Sequence, residues 1–184
     1  MRSRQLAIVL LIGVLGGPGL ASAADITSTW DGGASTFNWA DAGNWDPDGV
    51  PDNNVNTYDV VFDASLGSPI LPGADRTIDT LDVNASVDFD TAVNHTITIA
   101  AGFIGHAGSV DDYYLNFDLP GDTEISVTDG RLQLRGELIG SSKLTKTGNS
   151  ELRLFSDSTS FTGDVEIQDG KIFQNRPAAV GNSA

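Results

Sequence analysis

Three tryptophans, Trp30, Trp39 and Trp45, crowd the region that follows the first two dozen residues, and indole rings at such density suit two tasks. Exposed in a row, they make a platform on which pyranose rings stack. Buried, they plug one end of a core, each removing on the order of 200 Å² from water at ~25 cal/mol/Å². Directly after them stand Asp46, Asp48 and Asp52 with Asn53 and Asn54, an oxygen-rich run of the kind that can hold calcium. The spacing does not fit an EF-hand, because Gly49 follows Asp48 at once, Pro47 stiffens the run and no Glu closes it. Asp-Pro-Asp-Gly is also a strong turn signal. A turn is expected here, and neither a metal nor any other cofactor is assigned.

Catalytic patterns find less support. The 25 Asp and Glu supply many carboxylate pairs of the sort glycoside hydrolysis uses, but none stands in a run that distinguishes it. His95 and His106, the only histidines, sit beside Asn or Gly in expected turns and match no zinc-binding pattern. There is no Gly-x-Ser-x-Gly elbow, and residues 136–143 fall short of a phosphate loop. Asp88 with Asp90, and Asp111 with Asp112, read as solvated positions on strands or corners. No catalytic residue is assigned and enzymatic activity is not expected.

Residues 1–23 have the three-part layout of a secretory signal: Arg2 and Arg4, an apolar run over 6–15, and Ala21-Ser22-Ala23 before a cleavage point. The apolar run is shorter than the roughly 20 residues of a spanning helix. The chain is therefore expected to be exported to the periplasm, the cell surface or the medium, with no membrane span after cleavage. Its net charge of −15 becomes −17 once Arg2 and Arg4 are removed. Such a surface repels nucleic acid and anionic lipid, both of which are bound through clustered cations. Cysteine is absent, which rules out disulfides and thiolate metal sites.

The elements that must position these residues are short strands. Alternation of β-branched and polar residues predicts strands at 59–62, 77–83, 86–89, 96–100, 113–117, 124–128, 131–134, 143–145, 151–155, 164–168 and 171–173, separated by Gly, Asp and Asn. Self-similarity decides between sandwich and solenoid. Ile125-Ser-Val-Thr-Asp-Gly-Arg-Leu-Gln133 aligns with Val165-Glu-Ile-Gln-Asp-Gly-Lys-Ile-Phe173 at an offset of 40 residues, room for two coils of about 20. The expected fold is all-β, a right-handed parallel β-helix or β-solenoid with an aromatic N-terminal cap; a β-sandwich is the alternative. The expected division is a signal at 1–23, a tryptophan-rich cap at 24–62 and solenoid repeats at 63–184.

Two stretches carry a family resemblance. Lys143-Leu-Thr-Lys-Thr-Gly148, Leu152-Arg-Leu154 and Phe161-Thr-Gly-Asp-Val-Glu-Ile-Gln-Asp-Gly-Lys-Ile172 resemble the autotransporter-associated β-strand repeat of secreted bacterial surface proteins. Thr29-Trp-Asp-Gly-Gly33, Asn38-Trp39, Asn44-Trp45, Gly49-Val-Pro51 and Asp59-Val-Val-Phe62 are similar to the opening of such proteins. The resemblance implies a structural or adhesive role at the surface of a Gram-negative bacterium, towards an extracellular surface or polysaccharide. It also implies further repeats and often an outer-membrane barrel, for which residues up to Ala184 show no strands. Two rivals remain. A carbohydrate-binding module needs some of Trp30, Trp39, Trp45, Tyr113 and Tyr114 exposed in a row. A polysaccharide-degrading β-helix enzyme needs a cation among clustered acids, whereas Arg131, Arg135, Lys143, Lys146 and Arg153 cluster without them. The strands at 164–168 and 171–173 read as an open edge able to self-associate, exposing Val165, Ile167 and Ile172.

Overall fold

The computed structural model describes residues 25–90, 95–157 and 160–175; the expected signal at 1–23 lies outside them. The strands are β1 (Asp25–Trp30), β2 (Trp45–Asp46), β3 (Thr57–Phe62), β4 (Arg76–Val83), β5 (Thr96–His106), β6 (Val110–Tyr113), β7 (Asn116–Asp118), β8 (Thr123–Val127), β9 (Arg131–Leu134), β10 (Leu138–Ile139), β11 (Leu144–Thr147), β12 (Glu151–Leu154), β13 (Val165–Ile167) and β14 (Lys171–Gln174). Every strand pairing is parallel except that of β1 with β2. The chain is a β-solenoid of about five turns. A sandwich, built of antiparallel sheets, is excluded.

Each regular coil lays strands on three faces. The first face carries the starts of β4 and β5, then β7 and β10. The second carries β1, β3, the ends of β4 and β5, β8, β11 and β13, and the third is the sheet β6-β9-β12-β14. Register repeats at 20 or 21 residues in the later coils: Thr123, Leu144 and Val165 stack, as do Arg131, Glu151 and Lys171. β4 and β5 run across two faces, and the extra residues at their corner include Gly102, at φ +75°. A Cβ there would lie 2.1 Å from the Asp122 carbonyl oxygen, so the close approach of the next coil requires glycine.

The matched segments of the sequence stack differently on the two sides of their turn. After it, Arg131 and Lys171 do share a column, as the offset of 40 requires. Before it, Ile125 stacks through Lys146 on Ile167, not on Val165. The corner between the second and third faces accounts for this, since it spans Ile125 to Arg131, then Lys146 to Glu151, then Ile167 to Lys171, one residue fewer each time. A slip of two residues keeps every side chain on its own side of the sheet, so alternation alone could not reveal it.

The interior is one apolar cluster running the length of the stack. Trp30, Trp39 and Trp45 close it at the N-terminal side, and rings continue inward through Phe62, Phe89, Tyr113 and Phe117 at centroid spacings of 4.8–6.4 Å. β1 and β3 belong to the same sheet as the coils, so cap and solenoid are continuous across the boundary expected at residue 62. Beyond Phe117 the filling turns mainly aliphatic, with Leu132, Leu134, Leu138, Leu144, Leu152 and Leu154 buried and Phe161 as a further ring.

The acidity also has a structural use. Of the 25 acidic residues, 21 are Asp, whose short side chain reaches the backbone of an adjacent coil. Asp52 accepts from the Thr77 amide, Asp75 from Thr96, Asp88 from Asp112 and Asp122 from Lys143, all at 2.7–3.0 Å. Hydrogen bonds to a charged acceptor contribute about 1.5–3 kcal/mol each. These corner staples hold coils together where ladder pairing stops.

Candidate interaction face

Residues at alternate positions of β6, β9, β12 and β14 point away from the core and stack in columns. Val110, Arg131, Glu151 and Lys171 form one column; Asp112, Gln133, Arg153 and Phe173 form the next. Tyr114, Arg135 and Phe155 follow just past the strand ends, half-buried. The Arg135 guanidinium lies 4.0 Å from the Phe155 ring centroid and 5.6 Å from that of Tyr114, and Arg153 lies 5.0 Å from Phe173. Cations over aromatic faces gain about 0.5–1 kcal/mol at exposed sites.

Two carboxylates fix these cations. Arg135 donates to both oxygens of Asp112 at 2.8 and 3.3 Å, and its hydrogen bond to Asp112 holds its pKa above the ordinary value. Glu151 is shared by Arg131 at 3.2 Å, Lys171 at 2.8 Å and Arg153. The hydrogen bonds from Lys171 and Arg153 hold the Glu151 carboxyl down at about 2. Four cations face Asp112 and Glu151, with Asp88 of the preceding coil below Asp112, so this face keeps one positive charge on an acidic chain. Its apolar members are exposed too, Val110 at 52% and Phe173 at 48%.

The cations that the sequence grouped together do not all meet. Arg131, Arg135 and Arg153 do. Lys143 lies on the second face, beside an open groove of about 300 Å³, paired with Glu166. Lys146 points into the core in the column of Ile125 and Ile167, wholly buried. Its ammonium donates to the carbonyls of Thr147, Gly148 and Asp169, and burial lowers its pKa.

The tryptophans require a correction as carbohydrate contacts. Trp30 is 5% exposed and Trp39 and Trp45 are fully buried, so no indole face is left for a sugar. The Trp39 indole N–H donates to the Pro51 carbonyl at 3.0 Å and that of Trp45 to the Trp39 carbonyl at 2.9 Å. Buried Asn44 ties their loop together through Thr36, Asn38 and Ala34. Tyr113 is equally buried; only Tyr114 of the proposed row reaches the surface. Asp52 and Asn53, read as part of an oxygen-rich turn, instead bridge coils to Thr77, Arg76 and Asp79.

A second polar cluster was missed because it lies inside. His106 ends β5 rather than standing in a turn, and Asp111, expected in solvent, is buried on β6. His106 Nδ1 lies 3.6 Å from Asp111 Oδ2, beyond hydrogen-bond distance, and that oxygen accepts from the Val87 amide at 3.1 Å. Burial pushes Asp111 up to about 6, pulls His106 down to about 4, and raises Tyr113 well above its ordinary value. Asp90 is buried as well.

Among the described residues, no group of three His, Cys, Asp or Glu is placed to share a metal ion. Comparison with family models, with curated proteins and with solved structures finds no match.

Proposed function

We propose that the chain is an exported, non-enzymatic β-solenoid with a structural or adhesive role at the cell surface, comparable to the passenger part of an autotransporter-type protein. The observation that carries this reading is the outer face of β6, β9, β12 and β14. It is a regular array of aromatic and cationic side chains, held out by a scaffold with one continuous apolar core. The leader-like layout of residues 1–23 and the lack of cysteine support export. Self-association through β13 and β14, the outermost strands of their sheets among the described residues, belongs to the same reading, with half-exposed Ile167 as an apolar contact.

The test is a fusion of the full chain to a reporter that becomes active only after export, followed by protease treatment of intact cells. An active reporter, with the chain cut from outside while a cytoplasmic marker survives, is the expected result. A reporter that stays inactive, or a purified chain that depolymerises a polysaccharide, overturns the reading. A carbohydrate-binding module is the second reading. Tyr114, Phe155 and Phe173 favour it, on a face remote from the tryptophans it first rested on.

A further inference from the structure

The outer face of β6, β9, β12 and β14 combines three properties that each narrow its partner. It is flat, because its columns follow a parallel sheet with rows about 4.8 Å apart. It is aromatic, with Tyr114, Phe155 and Phe173 at least partly accessible. And it is positive, although the chain as a whole carries −15. Of the seven Lys and Arg in the described residues, four stand here, while Arg76 pairs with Asp52, Lys143 with Glu166, and Lys146 is inside.

A flat aromatic surface suits sugar rings, and guanidinium groups suit carboxylates. We propose that this face binds an acidic polysaccharide, a linear glycan bearing uronate carboxylates, with the ring edges of Tyr114, Phe155 and Phe173 that Arg135 and Arg153 leave uncovered against the sugars, and Arg131, Arg135, Arg153 and Lys171 on the carboxylates. This deepens the adhesive reading by naming its ligand class. Asp112 engages only two of the five N–H donors of Arg135. The side chain is therefore held in place with donors left for a ligand. Holding the cations beforehand removes much of the ordering cost of binding. The negative remainder of the surface repels the same polymer elsewhere, which confines contact to this face.

The face is much smaller than a standard protein interface, so a single contact is weak and retention on a polymer depends on repeated engagement. The probe is polygalacturonate immobilised on a gel or chip, with its methyl-esterified form as the neutral polymer of the same backbone. The full chain is expected to bind polygalacturonate, to bind the ester at least about tenfold more weakly, and to lose affinity as salt shortens the Debye length. Arg153→Gln and Phe173→Ala should each weaken binding about fivefold or more, while Lys143→Gln, a cation on the second face, changes it less than twofold. Unchanged thermal melting of each variant establishes that the fold is intact; should Arg153→Gln unfold, Phe173→Ala decides alone.

Equal retention of the ester would overturn the acidic ligand and leave the adhesive reading standing. No binding to either polymer, or equal losses in Lys143→Gln, would overturn this site. Sedimentation showing that Arg153→Gln abolishes self-association instead would assign the face to a second copy of the chain. Export failing in the reporter assay would defeat the adhesive reading without touching this result.

Discussion

The two halves of the solenoid solve the same packing problem with different side chains. In the first half successive coils differ in length. Asp25 pairs with Thr57 and Asn38 with Leu71, while on the third face Ile70, Phe89 and Tyr113 stack at unequal intervals. In the second half the interval settles at 20 or 21 residues. The first is filled largely by Trp30, Trp39, Trp45, Phe62 and Phe89, the second mostly by leucines, with Phe161 its buried ring. Unequal coils leave unequal gaps, and large rings fill them in tilted and edge-on contacts that aliphatic chains cannot span. Equal coils present the same gap repeatedly, so one medium-sized side chain serves every rung.

That contrast is broken most directly by truncation. Trp39→Ala and Trp45→Ala should each cost about 3–5 kcal/mol in urea unfolding, and Leu152→Ala about 2–4 kcal/mol. A cost for Leu152→Ala above that of both tryptophan variants would mean that the rings are not what holds the irregular coils. In the regular half, Gly130 at φ +51° places a hypothetical Cβ 1.5 Å from the Ser109 carbonyl oxygen. Gly130→Ala should cost about 2–4 kcal/mol, from left-handed strain plus overpacking; a loss below 1 kcal/mol would show that the corner yields.

The polar pair at the junction of the halves sharpens the comparison through pH. Asp111, with its pKa raised to about 6, adds stability that is complete below its unfolded value of 3.8 and lost as pH rises through 6. His106, lowered to about 4, adds stability that is complete above 6.5 and lost as pH falls through 4. Between pH 7 and 4 the two nearly cancel. His106→Leu removes one side of this balance, so the variant should gain about 2–3 kcal/mol relative to the parent as pH falls from 7 to 4. Parallel stability curves for the two proteins would refute the offset. The smallest effect is expected for Val110→Thr on the exposed face, within ±0.5 kcal/mol by the same unfolding measurement.

Alternation and the 40-residue match were enough to reach a solenoid, because stacked coils repeat their inward positions. The corners were less legible. Asp111, Tyr113, Leu115, Phe117 and Leu119 are all buried in strict alternation, though the chain bends between β6 and β7, so residues 113–117 read as one strand. Only Phe89 of the strand expected at 86–89 pairs, through isolated bridges, and the two-residue β10 is too short for any periodicity. β1 went unseen in a segment dominated by its tryptophan. Of the candidate face, Arg131, Arg135 and Arg153 were visible as cations, but Lys171, Phe155 and Phe173 join them only when the sequence is written in rows of 20 or 21. His106 and Asp111 had no signal at all, since polar residues on an inward column look the same as polar residues at a turn.

The corner that loses one residue per coil has a consequence for how the chain can be rearranged. An array whose rungs are identical can gain or lose one anywhere, as repeat proteins commonly do. Here the path from Ile125 to Arg131 cannot be exchanged for that from Ile167 to Lys171 without leaving a step of two residues against its neighbour. The coils therefore carry an address as well as a fold. Excising the one between them would set a long corner directly on a short one, and inserting a duplicate would put two equal corners where the stack narrows, so this solenoid is a sequence of places rather than a set of interchangeable parts.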